Sequence, residues 1–240
     1  MRALIRTLAV IAAVIVIYYW AVPQTVRLYD YLTAESSILE VPAFAEIKEF
    51  YPDLYAKILA DTKSAIMKGG SVDDVVAENG MTLAALLERD LPLASPEATS
   101  EFITSFIGVF QKAGNNDPEC CVELINGNEQ CMWQLMSQEE QNQVLRAIAL
   151  IIRSANTEPW ELADVKQAEK DVGRISSNVV AKFGPEIDYT AQTPLTEEEQ
   201  KKVCFAIADL YTETLKLPPA RSSDAIKYLL SGPGEEEPQQ

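Results

Sequence analysis

Histidine is absent from this chain of 240 residues. Its absence removes the commonest general base, the commonest metal ligand and the usual pH switch near neutrality, and it excludes serine hydrolysis through a histidine. The sequence also lacks a G-x-S-x-G elbow, an S-x-x-K motif, a Walker loop and a G-x-G-x-x-G fingerprint. We therefore predict a protein that is not an enzyme and that binds no cofactor.

Basic residues are scarce in this chain, which has 20 Lys and Arg against 36 Asp and Glu and a formal charge of −16. Arg2 and Arg6 lie in an acid-free stretch, so 18 basic residues face all 36 acids in the remainder. Such a surface repels phosphates, which argues against nucleic-acid binding, and it permits cationic partners. The acidic groups at 73–78 and 115–119 lack the spacing of a calcium loop, so we predict no metal site.

Alternating strand patterns are also missing, whereas helix start and stop signals recur along the chain. With 48% hydrophobic residues, the chain has enough apolar surface to build a core. We predict an all-α fold of about eight or nine helices joined by short loops. No repeat at a fixed period indicates a solenoid.

Local signals predict several helix starts, of which Ser95 followed by Pro96 is one. The apolar residues that follow at helical spacing should face the core, and they are Phe102, Ile103, Phe106, Val109 and Phe110. Two capping boxes predict further starts, Ser137 with Glu140 and Thr196 with Glu199. Two prolines predict starts at Pro52, after a break at Tyr51, and at Pro159. A short last helix is predicted from Ser223.

The first residues, MRALIRTLAVIAAVIVIYYWAVPQ, contain an uncharged apolar run at 7–22. This run approaches the roughly 20 residues that cross a bilayer, and the aromatic residues 18–20 would lie at the interface. A cleaved signal peptide is the alternative, although Tyr19 occupies a position where cleavage needs a small residue. We predict a transmembrane signal anchor at 1–23 whose amino terminus is cytoplasmic. The anchor would lie in a bacterial inner membrane, and the body would be exported to the periplasm.

The remainder of the chain is predicted to have three parts. A partly helical connector spans 24–41, an all-helical exported domain spans 42–230, and an acidic tail at 231–240 is expected to be disordered. Ala9 and Ala13 form a small-xxx-small pair that would let two anchors approach closely, so self-association is a further prediction.

Three of the four cysteines lie in the segment ECCVELINGNEQCMW, residues 119–133. Asp117 and Pro118 predict a short helix over ECCVELIN. The competing structure is a hairpin that turns at Asn126 and Gly127. We favour the helix, because a two-residue turn at this place would not pair one cysteine with another.

The cysteines carry the clearest chemical signal in the chain. Zinc and redox sites use Cys-x-x-Cys pairs, often with histidine, and the sequence contains neither. Because an exported domain is in an oxidising compartment, we predict two disulfides, with a partly free thiol and a metal site as the alternatives. Adjacent cysteines rarely bond each other, so either Cys120 or Cys121 should bond Cys131, and the other should bond Cys204.

Met132, Trp133 and Trp160 are candidate interface residues, because Trp and Met are enriched at interfaces, although core packing is a simpler role for them. We predict a membrane-anchored envelope protein that acts by binding a protein partner or as a subunit of an assembly. A carboxylate-based glycan hydrolase and a helical binding protein for an apolar ligand are the alternatives.

Overall fold

The computed structural model describes residues 22–69, 80–125, 130–184 and 195–231. Across these ranges every regular element is helical, which confirms the all-α prediction. A 3₁₀ turn, Leu91–Leu93, also occurs. The α-helices are α1 (Val22–Leu39), α2 (Pro42–Phe50), α3 (Pro52–Lys68), α4 (Gly80–Asp90), α5 (Pro96–Asn116), α6 (Glu119–Ile125), α7 (Gln130–Leu135), α8 (Gln138–Thr157), α9 (Val165–Phe183), α10 (Glu197–Thr214) and α11 (Pro219–Ser231).

Most of the predicted anchor at 1–23 lies outside the described residues, which begin at position 22. The predicted tail also lies outside them from position 232 onward. None of the described helices combines the length and the apolarity that a membrane crossing requires. α1 covers most of the segment at 24–41 that we predicted to be a partly helical connector. The domain boundaries and the membrane topology therefore stay predictions.

The chain divides into two compact units, residues 1–83 and 84–240. In the first unit α1 and α2 both pack against α3. Pro52 occupies the first turn of α3, where its missing N–H has no partner to lose, which confirms the break predicted at Tyr51. The buried apolar side chains of this unit include Ala34, Ile38, Phe44, Ile47, Tyr55, Ile58 and Ile66.

α5 is the central helix of the second unit, where it contacts α8, α10 and α11. The apolar face predicted for this helix is confirmed, since four of its five residues are buried and Phe106 is half-buried. α9 packs against both α10 and α11. The core between α9 and α10 consists of Ile175, Val179, Ala206 and Leu210.

Polar caps fix the starts of three helices in the second unit, as predicted. The Ser95 hydroxyl caps α5. Both capping boxes are present, at α8 and at α10. The Glu140 carboxylate accepts the Ser137 N–H at 2.6 Å, and the Glu199 carboxylate accepts the Thr196 N–H at 2.7 Å. Each box satisfies N–H groups that the first helical turn leaves without partners.

Two predicted helix starts are wrong. Pro159 does not begin a helix, because α9 starts six residues later with the Asp164 carboxylate as its cap. Residues 158–164 are non-helical, and the backbone groups of Trp160 and Ala163 bond to other parts of the second unit. The last helix begins at Pro219 rather than Ser223, since proline suits a first helical turn.

Candidate functional site

The cysteine segment folds into the two short helices α6 and α7. α6 confirms the short helix that we predicted over ECCVELIN. Asn126 and Gly127, at which the competing hairpin would turn, lie outside the described residues. α7 was not predicted, because six residues offer too little periodicity to indicate a helix.

Two disulfides join the four cysteines, as predicted. Cys120 bonds Cys131 and ties α6 to α7, with 5.6 Å between the two Cα atoms. Cys121 bonds Cys204 and fastens α6 to α10, also with 5.6 Å between the Cα atoms. This pairing is one of the two that the adjacency of Cys120 and Cys121 allowed. It leaves no free thiol for metal or redox chemistry.

Gly114 lets α5 and α10 approach each other closely beside the second disulfide. A Cβ atom at this position would lie 3.0 Å from the Cβ of Cys204 and 3.2 Å from the ring of Phe205. Since the disulfide holds Cys204, this neighbour has little freedom to move. Because α5 continues to Asn116, this glycine serves packing rather than helix termination.

The irregular segment 158–164 carries Trp160 near the start of α5. The backbone N–H of Trp160 donates to the Leu93 carbonyl at 2.8 Å. The backbone carbonyl of Trp160 accepts a hydrogen bond from Lys227 Nζ at 2.5 Å. Lys227 Nζ also donates to the Ala94 carbonyl at 2.7 Å. Trp160 as a whole nevertheless remains 41% exposed. The protein thus fixes the main chain of this aromatic residue and leaves its ring accessible to solvent.

Lys227 is only 2% exposed. Burial lowers the pKa of Lys227 to about 8, and the nearby carboxylate of Asp224 opposes that shift. Asp224 also accepts the Ala163 N–H at 3.5 Å, the upper limit for such a bond, so α11 holds the irregular segment at two points. The ammonium group is tolerated in the interior because it donates to two backbone carbonyls.

An ion pair joins the start of α11 to α9. Arg221 Nε lies 2.9 Å from Oδ2 of Asp171, and Nη2 lies 2.7 Å from the same oxygen. Asp171 is buried and also accepts a hydrogen bond from Gln167. The hydrogen bonds from Arg221 lower the pKa of Asp171, and burial opposes them. The Arg221 guanidinium is therefore engaged within the protein.

A groove of about 450 Å³ lies beside Trp160. It is formed by the start of α5, the irregular segment and the start of α11. Its lining includes Trp160, the exposed prolines Pro159 and Pro219, the buried Pro96, and two exposed glutamates, Glu97 and Glu158. We call this site the Trp160 groove. Because each proline restricts its own backbone and the Trp160 backbone is hydrogen-bonded, the groove is preorganised.

The Trp160 groove offers an aromatic ring, apolar walls and carboxylates for recognition. Glu97 and Glu158 are both exposed, whereas a glycosidase needs one carboxyl shielded from water so that it stays protonated. Within the described ranges, no cluster of three or more carboxylate or cysteine side chains is placed to hold a metal ion.

Three interface residues were predicted, and the structure describes the side chain of one of them. Trp160 lines the groove, so its ring is accessible to a partner. Met132 and Trp133 lie in α7, but their side chains fall outside the described part of the structure. Their role at an interface stays a prediction.

The sequence analysis missed the residues that complete the site. Lys227 had a signal, because it is the single charge in the apolar run AIKYLL. Glu97 and Glu158 had none, since each is one of 36 acids and the two meet only through the tertiary fold.

No protein-family model, no curated protein and no solved structure matches this chain. A shared fold would not decide the function in any case, because helical folds host many unrelated activities. The function is therefore argued from the groove, the disulfides and the charges.

Proposed function

We propose that this chain is a non-enzymatic protein of the cell envelope that acts by binding a partner protein. In this proposal residues 1–23 anchor it in the membrane, and the helical body is exported. The Trp160 groove is the contact site. The observation that carries the proposal is the exposed Trp160 ring on a backbone that buried hydrogen bonds hold in place.

The two disulfides support the exported location. Disulfides persist in oxidising compartments and are rare in the cytosol. The apolar run at 7–22, with Arg2 and Arg6 ahead of it, supports a membrane anchor whose amino terminus remains in the cytoplasm. These two features of the chain point to the same compartment by independent physical reasons.

The exposed Trp160 supports partner binding. Tryptophan is among the residues that most often dominate the energy of protein interfaces, particularly next to a well-formed pocket. The clamped backbone keeps the ring in one place, which reduces the entropy that binding would cost. The Trp160 ring provides exposed apolar area for a contact. It does so from a non-helical segment that hydrogen bonds stabilise.

One observation favours a glycan hydrolase as the second candidate, since Glu97 and Glu158 line the same groove as Trp160. Their exposure disfavours it, because neither carboxyl is shielded. If the chain released soluble glycan from purified envelopes and Glu97→Gln or Glu158→Gln stopped the release, the hydrolase would replace our proposal.

Site-specific photocrosslinking in intact cells tests the proposal. A photoreactive amino acid at Glu161, an exposed neighbour of Trp160, should give a discrete crosslinked product of higher mass. The same amino acid at Glu169, an exposed position on α9, provides the control and should not give that product. Adding Trp160→Ala should remove the product, because it deletes the ring.

Trp160→Ala should not unfold the protein, because the hydrogen bonds that hold the segment come from the backbone of this residue. Thermal unfolding of the purified variant checks this point. A product that forms equally from Glu161 and Glu169, or that persists in full with Trp160→Ala, would show that the groove is not the contact site.

A further inference from the structure

We infer that the Trp160 groove receives a lysine or arginine side chain from a short extended segment of the partner protein. This inference rests on the proposed function and adds the chemistry of the partner. It follows from the two glutamates of the groove, from the small partial charge of the helix termini that meet there, and from the apolar residues of its walls.

The two glutamates of the groove are available to a cationic guest. No ion pair within the described residues includes Glu97 or Glu158. Two cations of α11 are already engaged within the protein, since the buried Lys227 bonds the backbone carbonyls of Ala94 and Trp160 and Arg221 bonds the Asp171 carboxylate. Among the described residues, neither glutamate of the groove is therefore paired with a basic side chain.

The helix termini do not reverse the sign of the groove. α5 and α11 both begin there, and a helix amino terminus carries roughly half a positive charge. Two such half charges are smaller than two full carboxylate charges, and the charge of the buried Lys227 ammonium is opposed by the nearby carboxylate of Asp224. Free donors are also few, because Pro96 and Pro219 have no N–H and the Ser95 hydroxyl accepts the Ala98 N–H at 3.2 Å. An anionic guest is therefore disfavoured.

The apolar walls suit the remainder of a long cationic side chain. Tryptophan attracts a cation over its face more strongly than other aromatic residues do, and the Trp160 ring is exposed. Lysine and arginine also have methylene stems that pack on apolar surfaces such as the proline rings. The volume of about 450 Å³ lies within the roughly 300 to 1,000 Å³ of typical ligand pockets, so the groove is sized for a short segment.

Peptide titration of the full chain in a non-ionic detergent tests the inference directly. The probes are two capped pentapeptides, GPKPG and GPQPG, which differ in one charge. The readout is the indole N–H resonance of Trp160, assigned by its loss in Trp160→Phe. We expect GPKPG to shift this resonance and to bind at least about tenfold more tightly than GPQPG. Rising salt should weaken the binding of GPKPG, because the attraction is electrostatic.

A pair of double variants separates the groove from the overall field of the protein. Glu97→Gln with Glu158→Gln should weaken GPKPG binding by about tenfold. Glu139→Gln with Glu169→Gln removes the same charge from exposed positions that do not line the groove, and it should leave the affinity unchanged. Equal affinity for the two peptides, or an equal loss in the two double variants, would overturn the inference.

Photocrosslinking from Glu161 distinguishes failure of this inference from failure of the proposed function. If the Trp160-dependent product keeps its full yield in the Glu97→Gln, Glu158→Gln variant, the partner contact stands and the cationic guest is wrong. If the yield falls in this variant but not in the Glu139→Gln, Glu169→Gln control, the result supports both the proposed partner contact and the cationic guest. A shift of the Trp160 resonance by phosphatidylcholine vesicles without peptide would assign the groove to a lipid headgroup and would also overturn the inference.

Discussion

The two ends of α5 lie about 30 Å apart at the rise of an α-helix, and the second unit stabilises them differently. At the cysteine end, near Gly114, two disulfides fasten the short helices α6 and α7. At the lysine end, near Ser95, buried polar contacts of α11 hold the irregular segment 158–164. Neither the short helices nor the irregular segment has enough regular structure to be stable alone.

The difference between the ends is one of mechanism. A disulfide acts largely by restricting the unfolded chain, so its contribution grows with the length of the loop that it closes. Lys227 acts in the folded state, through hydrogen bonds whose value depends on burial and on protonation. The cysteine end should therefore respond to loop length and reductant, whereas the lysine end should respond to pH.

The largest expected effect is at the cysteine end. The Cys121–Cys204 bond spans a sequence separation of 83 residues and the Cys120–Cys131 bond spans 11. The chain-entropy model gives about 4.5 kcal/mol for the first bond and about 2.8 kcal/mol for the second. Urea unfolding of the two double alanine variants should reproduce this order. Equal losses, or a larger loss for Cys120→Ala with Cys131→Ala, would contradict the mechanism that we assign to this end.

Lys227→Met should have the next largest effect, because it leaves the carbonyls of Ala94 and Trp160 without their buried donor. We expect the free energy of unfolding to fall by about 2 to 4 kcal/mol at pH 7. Lys216→Met provides the control, since Lys216 is exposed and pairs only with Glu213 on the surface. That variant should differ from the parent by less than about 0.5 kcal/mol.

The pH dependence of the Lys227→Met deficit sharpens the comparison. Burial lowers the pKa of Lys227 to about 8 from the ordinary 10.5, so between these values the unfolded chain binds a proton that the folded protein has released. Raising the pH from 7 towards 10 therefore stabilises the parent and not the variant, and the deficit should widen. A deficit that stays constant over this range would show that the buried group does not titrate as we describe.

The smallest effect concerns Glu140, which caps α8 and also accepts a hydrogen bond from Lys112. The Ser137 N–H is the main cause that lowers the pKa of Glu140 to about 2. Glu140→Gln should cost about 1 kcal/mol at pH 7. The contribution is complete above the ordinary pKa of about 4.5 and is lost as the pH falls towards 2, so parent and variant should converge in acid.

Glu139→Gln is the matched control for that measurement, since Glu139 lies in the same first turn but is not part of the capping box. It should change the unfolding free energy less than Glu140→Gln does. If the two variants lost the same stability, simple loss of a charge near the helix start would explain both, and the capping box would have no special role.

The cysteine end could largely be predicted from the sequence, and the lysine end could not. The presence of two disulfides followed from an argument about compartment, and the adjacency of Cys120 and Cys121 reduced the pairings to two, between which the structure decides. Pro159 predicted a helix because proline suits a first turn. That local preference is overridden by two backbone hydrogen bonds of Trp160, which donates to the Leu93 carbonyl and accepts from Lys227, both far away in sequence.

The groove was beyond sequence reasoning for a related reason. Its lining comes from the start of α5, the segment before α9 and the start of α11, which are brought together only by packing. Trp160 was recognised because its residue type is rare and informative, whereas Glu97 and Glu158 are common surface residues. Residue type identified Trp160, but only the tertiary structure could show which acidic residues line the groove with it.

The central claim is that the body of this protein is exported, disulfide-bonded and anchored in a membrane. The most direct measurement is the intact mass of the chain extracted from membranes, after free thiols have been blocked, with and without reduction. We predict a full-length chain that acquires thiol label only after reduction. A full-length chain with all four cysteines labelled before reduction would contradict the claim, because it would place the thiols in a reducing compartment.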